Sequence, residues 1–278
     1  MRLTLGHSPD PDDAFMFCGL AQAKVATEGL EFEHVLQDIE TLNRRAERCE
    51  LDVTALSAHA YAFLTDRYIL LNSGASMGLG YGPRVVAKGD VARSDLARRR
   101  IAIPGERTSA VLALRLCIGE FEYVVVPFDK IMDAVVAGEA EAGLLIHEGQ
   151  LTYSDQGLHL VVDLGAWWHA ETRGLPLPLG VNAIRRDLPP DVIARADRVL
   201  RASIQWGLEH RTEALEHAAA WGRDLDAERT DRFVGMYVND LTLDCGEKGR
   251  RAIETFFERG AQAGLLPRGA APEFVARD

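Results

Sequence analysis

The sequence predicts an α/β protein of two lobes, with mainly parallel sheets, flanking helices and a helical C-terminal part. Up to about residue 180, short β-rich runs alternate with helical patterns, which is typical of βαβ units. Two extended apolar segments, 83–88 and 175–184, are interpreted as crossings between lobes. They place residues 90–178 in a smaller inserted lobe, residues 1–89 and 179–278 in a larger discontinuous lobe, and a ligand cleft between the two. A single sheet with irregular loops is the alternative.

The first series of elements follows from alternation of apolar residues and from capping signals. Asp10 is placed to cap a helix whose first position is Pro11, and Ser57 is placed to cap the helix that follows it. The predicted strands of this series are 3–6, 30–36, 53–57 and 68–72, and its helices are 12–21, 39–49 and 58–65.

The second series repeats the pattern, and the chain then becomes almost purely helical. Gly105 permits a tight turn after a short Ile-rich strand, and Thr108 or Ser109 then caps the next helix. The predicted strands are 101–104, 123–128, 143–147 and 158–164, with helices at 109–118 and 131–137. Helices at 192–218, 226–237 and 248–262 complete the chain.

Composition restricts the classes of partner. The 31 Lys and Arg residues against 42 Asp and Glu residues give a net charge of −11 over 278 residues. This balance argues against nucleic acid or an anionic membrane as the main partner, since both require clustered basic residues. The longest apolar runs are too short to span a bilayer. We expect a small-molecule substrate, and the sequence leaves the oligomeric state open.

The four cysteines, Cys18, Cys49, Cys117 and Cys245, are widely spaced and form no C-x-x-C pair. This spacing favours reduced thiols over a zinc site or a disulfide framework. No export signal follows the first methionine. We therefore expect a cytoplasmic protein without a metal.

Ligands of open α/β sheets bind outside the carboxyl ends of the strands, so the residues that follow each strand are the candidates. The first strand leads to Ser8, Asp10, Asp12 and Asp13 at the start of a helix. Carboxylates there already complement the helix dipole, so they are better suited to bind hydroxyl or N–H groups than phosphate. Capping alone is an equally good interpretation.

The strand at 101–104 leads to a different kind of site. Gly105, Thr108, Ser109 and Ala110 combine a tight turn with hydroxyl and backbone N–H donors at a helix start. The Lys of a P-loop is absent, so a carboxylate fits better than a triphosphate. Binding and capping are again both open.

His147 is the candidate general base. Of the eight histidines, it is the one that directly follows a buried-looking parallel strand. A purely structural histidine is the alternative. The pair His147–Glu148 is not a zincin motif, and no G-x-S-x-G nucleophile elbow occurs.

Seven segments spread in order over nearly the whole chain resemble a known family. They are His7–Phe17, Gln37–Asn43, Gly105–Ala110, Gly143–Glu148, Asp163–Trp168, Leu175–Gly180 and Tyr237–Asn239. These segments are similar to the 1,4-dihydroxy-6-naphthoate synthases of the futalosine route to menaquinone. Within DLGAWW, we expect one of Trp167 and Trp168 to pack the lobe.

The resemblance implies a type II periplasmic-binding-protein-like fold and a lyase. The lyase would convert cyclic dehypoxanthinyl futalosine to 1,4-dihydroxy-6-naphthoate, release a three-carbon fragment, and use no metal or organic cofactor. The family's proposed base falls on His147. The implied substrate contacts are Thr54, Ala55, Leu56, Ser57, Thr108, Ser109 and Ala110. We add Ser8 and Asp13, which follow the first strand, to these candidates.

The chain departs from the family pattern at three positions. The family commonly has S-P-C-P-N-D where this chain has Asp10 and Asp12, and Ala55 replaces a Lys seen in some members. These differences make the cleft more acidic. Two other functions remain open: a non-catalytic solute-binding protein of the same fold, and the chorismate dehydratase of the same pathway, which would need more basic residues.

Overall fold

The computed structural model describes residues 1–222 and 226–276, which form an α/β fold on two sheets. The strands are β1 (Arg2–His7), β2 (Glu31–Leu36), β3 (Val53–Ser57), β4 (Tyr68–Leu70), β5 (Ser76–Gly78), β6 (Arg84–Ala87), β7 (Arg100–Ile103), β8 (Glu122–Val125), β9 (Ala142–Leu145), β10 (His159–Asp163) and β11 (Leu177–Arg185). The α-helices are α1 (Pro11–Ala21), α2 (Ile39–Glu47), α3 (Ala58–Tyr61), α4 (Ser109–Ile118), α5 (Ile131–Ala137), α6 (Gly149–Thr152), α7 (Leu164–Glu171), α8 (Pro190–Glu209), α9 (Arg211–Ala219), α10 (Ala227–Tyr237), α11 (Asp240–Leu243) and α12 (Gly246–Gln262).

The first sheet has the strand order β2-β1-β3-β11-β4, and β5 also pairs with β11. Helix α1 is buried along residues 11–19 and packs with α8 and α9. Phe15 of α1, Leu5 of β1 and Ile204 of α8 belong to one buried cluster. Burial of these apolar side chains fixes the end of β1, and with it the polar residues that follow.

The second sheet has the order β10-β6-β9-β7-β8. Helix α5 packs on β9 through Ile131 and Val135, which share a buried cluster with Val86 and Leu145. A Cβ at Gly143 of β9 would lie 2.6 Å from an Ile131 side-chain atom. The close packing of this helix on its strand therefore depends on the absence of a side chain at position 143.

The α/β class is confirmed, but the sheets are mixed rather than mainly parallel. In the first sheet β1, β2 and β3 are parallel, whereas β11 is antiparallel to β3, β4 and β5. In the second sheet β7, β8 and β9 are parallel, whereas β6 is antiparallel to β9 and β10. The two reversed strands coincide with the segments interpreted as crossings. Strands β6 and β11 each carry the chain from one sheet to the other, and each is antiparallel to the strands with which it pairs.

The lobe boundaries at residues 89/90 and 178/179 stay a prediction. Strand β6 pairs within the second sheet and β11 within the first. These pairings favour a smaller lobe that begins before residue 84 and ends before residue 177.

The predicted helices at 109–118 and 131–137 are confirmed, but two other helices and one strand need correction. The helix expected over 58–65 ends at Tyr61. The helix expected over 192–218 is interrupted at His210, which lies between α8 and α9. The strand expected over 158–164 ends at Asp163, and the unpredicted helix α7 follows. The Asp163 carboxylate accepts the N–H groups of Gly165 and Ala166, each at 3.0 Å, which is an N-cap.

Trp168 of α7 is the packing tryptophan. It is fully buried, its indole N–H donates to the carbonyl of Pro176 at 2.9 Å, and its ring lies edge-on to Phe256 of α12 at 5.3 Å between centroids. Trp167 is half-buried against the same cluster. None of the helices in the described ranges has the length and apolar character needed to cross a membrane.

We expect Phe256→Ala to lower the free energy of unfolding by about 3–5 kcal/mol, because it removes a buried ring and leaves a cavity beside Trp168. Denaturant unfolding measures the loss. Val125→Ala is the control, since Val125 is 51% exposed. An equal effect of both substitutions would contradict the packing role of Phe256.

Candidate active site

A cleft lies between the two sheets, where the segments that follow β1, β3, β7 and β9 meet. Its empty volume, open solvent included, is about 720 Å³. The cleft brings together ten of the residues singled out from the sequence, namely Ser8, Asp10, Asp12, Asp13, Ala55, Ser57, Thr108, Ser109, Ala110 and His147.

Thr54 and Leu56 do not line this cleft. Side chains alternate between the two faces of a strand, so Ala55 and Ser57 face the cleft while Thr54 and Leu56 face the other side of β3. Both are fully buried, and the Thr54 hydroxyl donates to the carbonyl of Ala55 at 2.9 Å. A substrate contact by either side chain is therefore unsupported.

The start of α4 offers the cleft backbone donors. The Thr108 hydroxyl donates to the Gly105 carbonyl at 2.9 Å, and the Ser109 hydroxyl donates to the Leu179 carbonyl at 2.6 Å. Both hydroxyls thus have structural partners. The first N–H groups of a helix have no partner within it, so Ser109 and Ala110 can present theirs to a carboxylate.

Ser57 is held by Asn43, a buried residue of α2 that sequence reasoning did not identify. The Asn43 amide nitrogen donates to the Ser57 hydroxyl at 3.1 Å, and its oxygen accepts the Ser57 backbone N–H at 2.9 Å. These two hydrogen bonds to the Asn43 amide fix the Ser57 hydroxyl at the wall of the cleft. Asn43 ends the QDIETLN segment, but nothing in that segment alone reveals a contact 14 residues away.

The segment after β1 carries three buried carboxylates. Asp10 caps α1 by accepting the Asp13 N–H at 3.4 Å, and Asp13 accepts the Ser8 N–H at 2.6 Å. One oxygen of Asp12 is buried without a hydrogen-bond partner. Capping and lining of the cleft therefore occur together here.

The imidazole of His147 meets Asp10 across the cleft. Its Nδ1 lies 3.0 Å from an Asp10 carboxylate oxygen, while its Nε2 is buried without a hydrogen-bond partner. The ring of Phe128 lies edge-on at 4.7 Å between centroids. His147 has a φ of 53°, a left-handed conformation that is uncommon outside glycine and is often found at functional sites.

The carboxylates and the imidazole shift one another's pKa. Burial opposes the charged form of His147, but the charge of Asp10 and its hydrogen bond outweigh burial and raise the pKa of His147 above 6.5. Burial would also raise the pKa of Asp10, but His147 holds it below 3.8. Burial and then the charge of Asp10 raise the pKa of Asp13 to about 8, and the same two causes raise the pKa of Asp12.

The cleft is therefore less charged at neutral pH than its sequence implies. Asp10 pairs with His147, Asp13 retains its proton because its pKa is about 8, and the pKa of Asp12 is raised by the same causes. Ligand-type atoms of Asp10, Asp12 and His147 lie within 4.8 Å of one another, which makes these the described residues most suited to a metal ion. The prediction of no metal remains a prediction.

Sequence reasoning also missed a link between the sheets behind His147. The amide of Gln150 in α6 and the hydroxyl of Tyr237 in α10 are hydrogen bonded at 2.6 Å. With the amide nitrogen of Gln150 directed at Tyr237, the amide oxygen of Gln150 accepts the backbone N–H of His147 at 3.2 Å. Tyr237 begins the YVN segment, which was the available signal. The other residues of the cleft wall that the sequence did not single out are Ile39, Gly74, Ser76, Pro83, Ile146, Leu179, Gly180, Val181, Asn182 and Phe233.

Comparison with protein families gives a match over residues 3–262 to a family described as menaquinone biosynthesis. The chain belongs to this family. It is 44% identical over 273 residues to a 1,4-dihydroxy-6-naphtoate synthase of Thermus thermophilus, with 98% of this chain and 99% of the relative covered. It is 36% identical over 271 residues to a protein of the same name from Streptomyces coelicolor, with 95% of each covered.

Solved structures are similar to the whole fold. A crystal structure of an Archaeoglobus fulgidus protein superposes with a TM-score of 0.90 at 49% identity, covering 95% of this chain and 98% of that one. The alkanesulfonate-binding protein of Xanthomonas axonopodis pv. citri gives a TM-score of 0.72 at 11% identity, covering 96% and 94%. The periplasmic-binding-protein-like fold expected for this menaquinone-family chain is thereby confirmed.

We expect Asp13→Asn to stabilise the protein increasingly as the pH rises from about 4 to about 8. Above a pH of about 4, Asp13 is ionised in the unfolded state but keeps its proton in the folded state. Rising pH therefore favours the unfolded state of the wild type until Asp13 also ionises in the folded state, near pH 8. An Asn at position 13 does not ionise, so the variant escapes this loss of stability. Thermal melting of both proteins from pH 5 to pH 8.5 measures the difference, at about 2–4 °C per kcal/mol. A difference in Tm that is independent of pH would contradict the raised pKa.

Proposed function

We propose that the protein is a carbon–carbon lyase that converts cyclic dehypoxanthinyl futalosine to 1,4-dihydroxy-6-naphthoate and releases a three-carbon fragment, with His147 as the general base. The observation that carries the proposal is the difference between the two ring nitrogens of His147. Nδ1 is bound to Asp10, and Nε2 is buried in a cleft wall without a partner. The names of the two relatives support the choice of reaction.

Asp10 selects the form of His147 that can act as a base. An ionised carboxylate only accepts hydrogen bonds, so a neutral imidazole beside it carries its proton on Nδ1 and keeps the lone pair on Nε2. This is the arrangement by which a carboxylate orients a histidine base and stabilises the imidazolium that forms. Asp10 is thus a positioning residue, and His147 is the residue that contacts substrate.

The reaction needs one proton removed and one bond broken. His147 Nε2 takes the proton of a ring hydroxyl of the bound spirocycle, and the O–H electrons form a carbonyl. The adjacent carbon–carbon bond then breaks, its electrons pass into the naphthoate ring system as an enolate, and the His147 imidazolium returns its proton to that enolate. Aromatisation of that ring draws the reaction forward. Displacement of water by the bound substrate favours this transfer because it strengthens the interaction between the charges that develop.

The chemistry of the cleft wall suits a polyol with a carboxylate. The N–H groups of Ser109 and Ala110 are available to the carboxylate, which compensates for the absence of Lys and Arg from the cleft lining in the described part of the chain. The pKa of Asp13, about 8, keeps this residue protonated at neutral pH and so reduces the repulsion that three ionised carboxylates would exert, and the pKa of Asp12 is raised in the same direction. We propose a cytoplasmic location, since all four cysteines are free thiols.

Incubation of the purified protein with cyclic dehypoxanthinyl futalosine, followed by mass spectrometry, tests the reaction. We expect His147→Ala to lower kcat by about 10²–10⁴, the usual contribution of a positioned base. Treatment with a chelator should leave wild-type turnover unchanged. Binding without turnover in the wild type would replace the lyase with a solute-binding function. Wild-type turnover in His147→Ala would remove His147 as the base.

We expect the acid limb of the wild-type pH–rate profile to lie above pH 6.5, because His147 must lose its proton and its pKa is raised. Asp10→Asn should lower kcat by up to about 10⁴, since the Asn amide can donate to Nδ1 and favour the wrong tautomer. It should also move the acid limb to lower pH, because burial lowers the pKa of His147 and the charge of Asp10 no longer opposes it. The groups that act on the imidazole charge are Asp10 and Asp13 from the first segment and Glu148 beside it, with Asp12 also close.

Two comparisons separate positioning from a general loss of structure. Asp187→Asn is the matched control, since Asp187 is exposed and pairs with Arg185 far from the cleft wall. In a His147→Ala background, Asp10→Asn should cause little further loss, because the two residues act as a unit. A fall in kcat with an unmoved acid limb would contradict the positioning role.

A further inference from the structure

Asn182 is a buried amide whose two polar atoms have no partner. Its side chain is 1% exposed, and both Oδ1 and Nδ2 lack a hydrogen bond. Buried amides are almost always paired, because each unmade hydrogen bond costs free energy. An unpaired amide in the wall of a ligand cleft therefore indicates a ligand that completes its bonds.

The strand register places this amide on the cleft face of the first sheet. Asn182 lies opposite Ala55 and Gly180 lies opposite Ser57, and all four residues line the cleft. The backbone of Asn182 takes part in the sheet, where its carbonyl accepts the Leu71 N–H at 2.9 Å. The backbone of Asn182 is thus held within the sheet, and its side-chain amide is left for a ligand.

Gly74 keeps the space around the amide open. A Cβ at position 74 would lie 1.9 Å from Asn182 Nδ2, and Gly74 has a φ of 85° that few other residues adopt. The N–H of Gly74 donates to the Thr242 carbonyl at 2.7 Å, which holds this turn against α11. The Asn182 amide therefore occupies space that is free only because residue 74 has no side chain.

The two ends of the amide define the chemistry of the ligand. Oδ1 accepts one hydrogen bond while Nδ2 donates another a short distance away, which matches two adjacent hydroxyl groups. A carboxylate would be repelled by Oδ1. Two further polar groups of the cleft wall that have an unpaired atom, the Ser8 hydroxyl and the Asp12 carboxyl group, also pair readily with hydroxyls.

We infer that Asn182 binds a vicinal diol of the substrate, with Oδ1 accepting from one hydroxyl and Nδ2 donating to its neighbour. The inference rests on the proposed function in one respect, since it assigns the diol to the polyol part of that substrate. Asn182 thereby selects for the polyol and takes no part in proton transfer.

Steady-state kinetics test the assignment. Asn182→Leu should raise KM by about 5- to 100-fold, the factor for two neutral hydrogen bonds, and leave kcat within a few-fold of wild type. Gln205→Leu is the control, since Gln205 is exposed on α8. Gly74→Ala should raise KM similarly by displacing the amide. A KM unchanged in Asn182→Leu, with the same thermal melting as wild type, would overturn the inference.

A direct binding measurement separates this inference from the proposed reaction. The side-chain amide signals of Asn182, assigned by their loss in Asn182→Leu, are followed by ¹⁵N NMR during titration with methyl β-D-ribofuranoside and with its 2-deoxy analogue. We expect the riboside to shift these signals and the deoxy compound to shift them much less. Equal shifts, or none with either compound, would overturn the diol assignment even if the enzyme turns over its substrate. A lack of turnover with selective shifts would overturn the reaction alone.

Discussion

The contact between Asp10 and His147 is the interaction on which the site depends. Asp10 lies at the start of α1 in the first sheet's half of the molecule, and His147 follows β9 of the second sheet. Their 3.0 Å contact joins the two halves at the point where chemistry is proposed to occur. Because the proposed base and the carboxylate that binds it come from different sheets, the carboxylate can orient the imidazole only where the two sheets are held together.

Burial gives that contact its effect and also creates a difficulty. Three carboxylates within four residues would repel one another if all were ionised in a buried site. The molecule reduces this repulsion by pairing Asp10 with His147 and by raising the pKa of Asp13 to about 8, and the pKa of Asp12 is raised as well. A protonated Asp13 can donate a hydrogen bond to a hydroxyl group. The cleft thus carries less negative charge than its acidic sequence implies, which suits the carboxylated substrate that we propose.

Local signals predicted the parts of the site that depend on one strand end. His147 and the Thr108–Ala110 turn were found because each directly follows a strand, and capping rules placed Asp10 correctly before α1. Three contacts could not be found in this way: Asn43 to Ser57, Asp10 to His147, and Gln150 to Tyr237. Each joins residues from elements that only the tertiary fold brings together. Thr54 and Leu56 were included because a segment resemblance does not distinguish the two faces of a strand. The mixed sheets were missed because the chain segments between the lobes were interpreted as linkers.

Backbone packing joins the segment that leads into β6 to the start of α7. A Cβ at Gly165 would lie 1.8 Å from the Tyr81 carbonyl oxygen, and one at Gly82 would lie 3.0 Å from the Gly165 nitrogen. The two backbones therefore touch without intervening side chains. A methyl group at either position would push them apart, so α7 can lie against this segment only because two residues that carry no chemistry of their own are glycines.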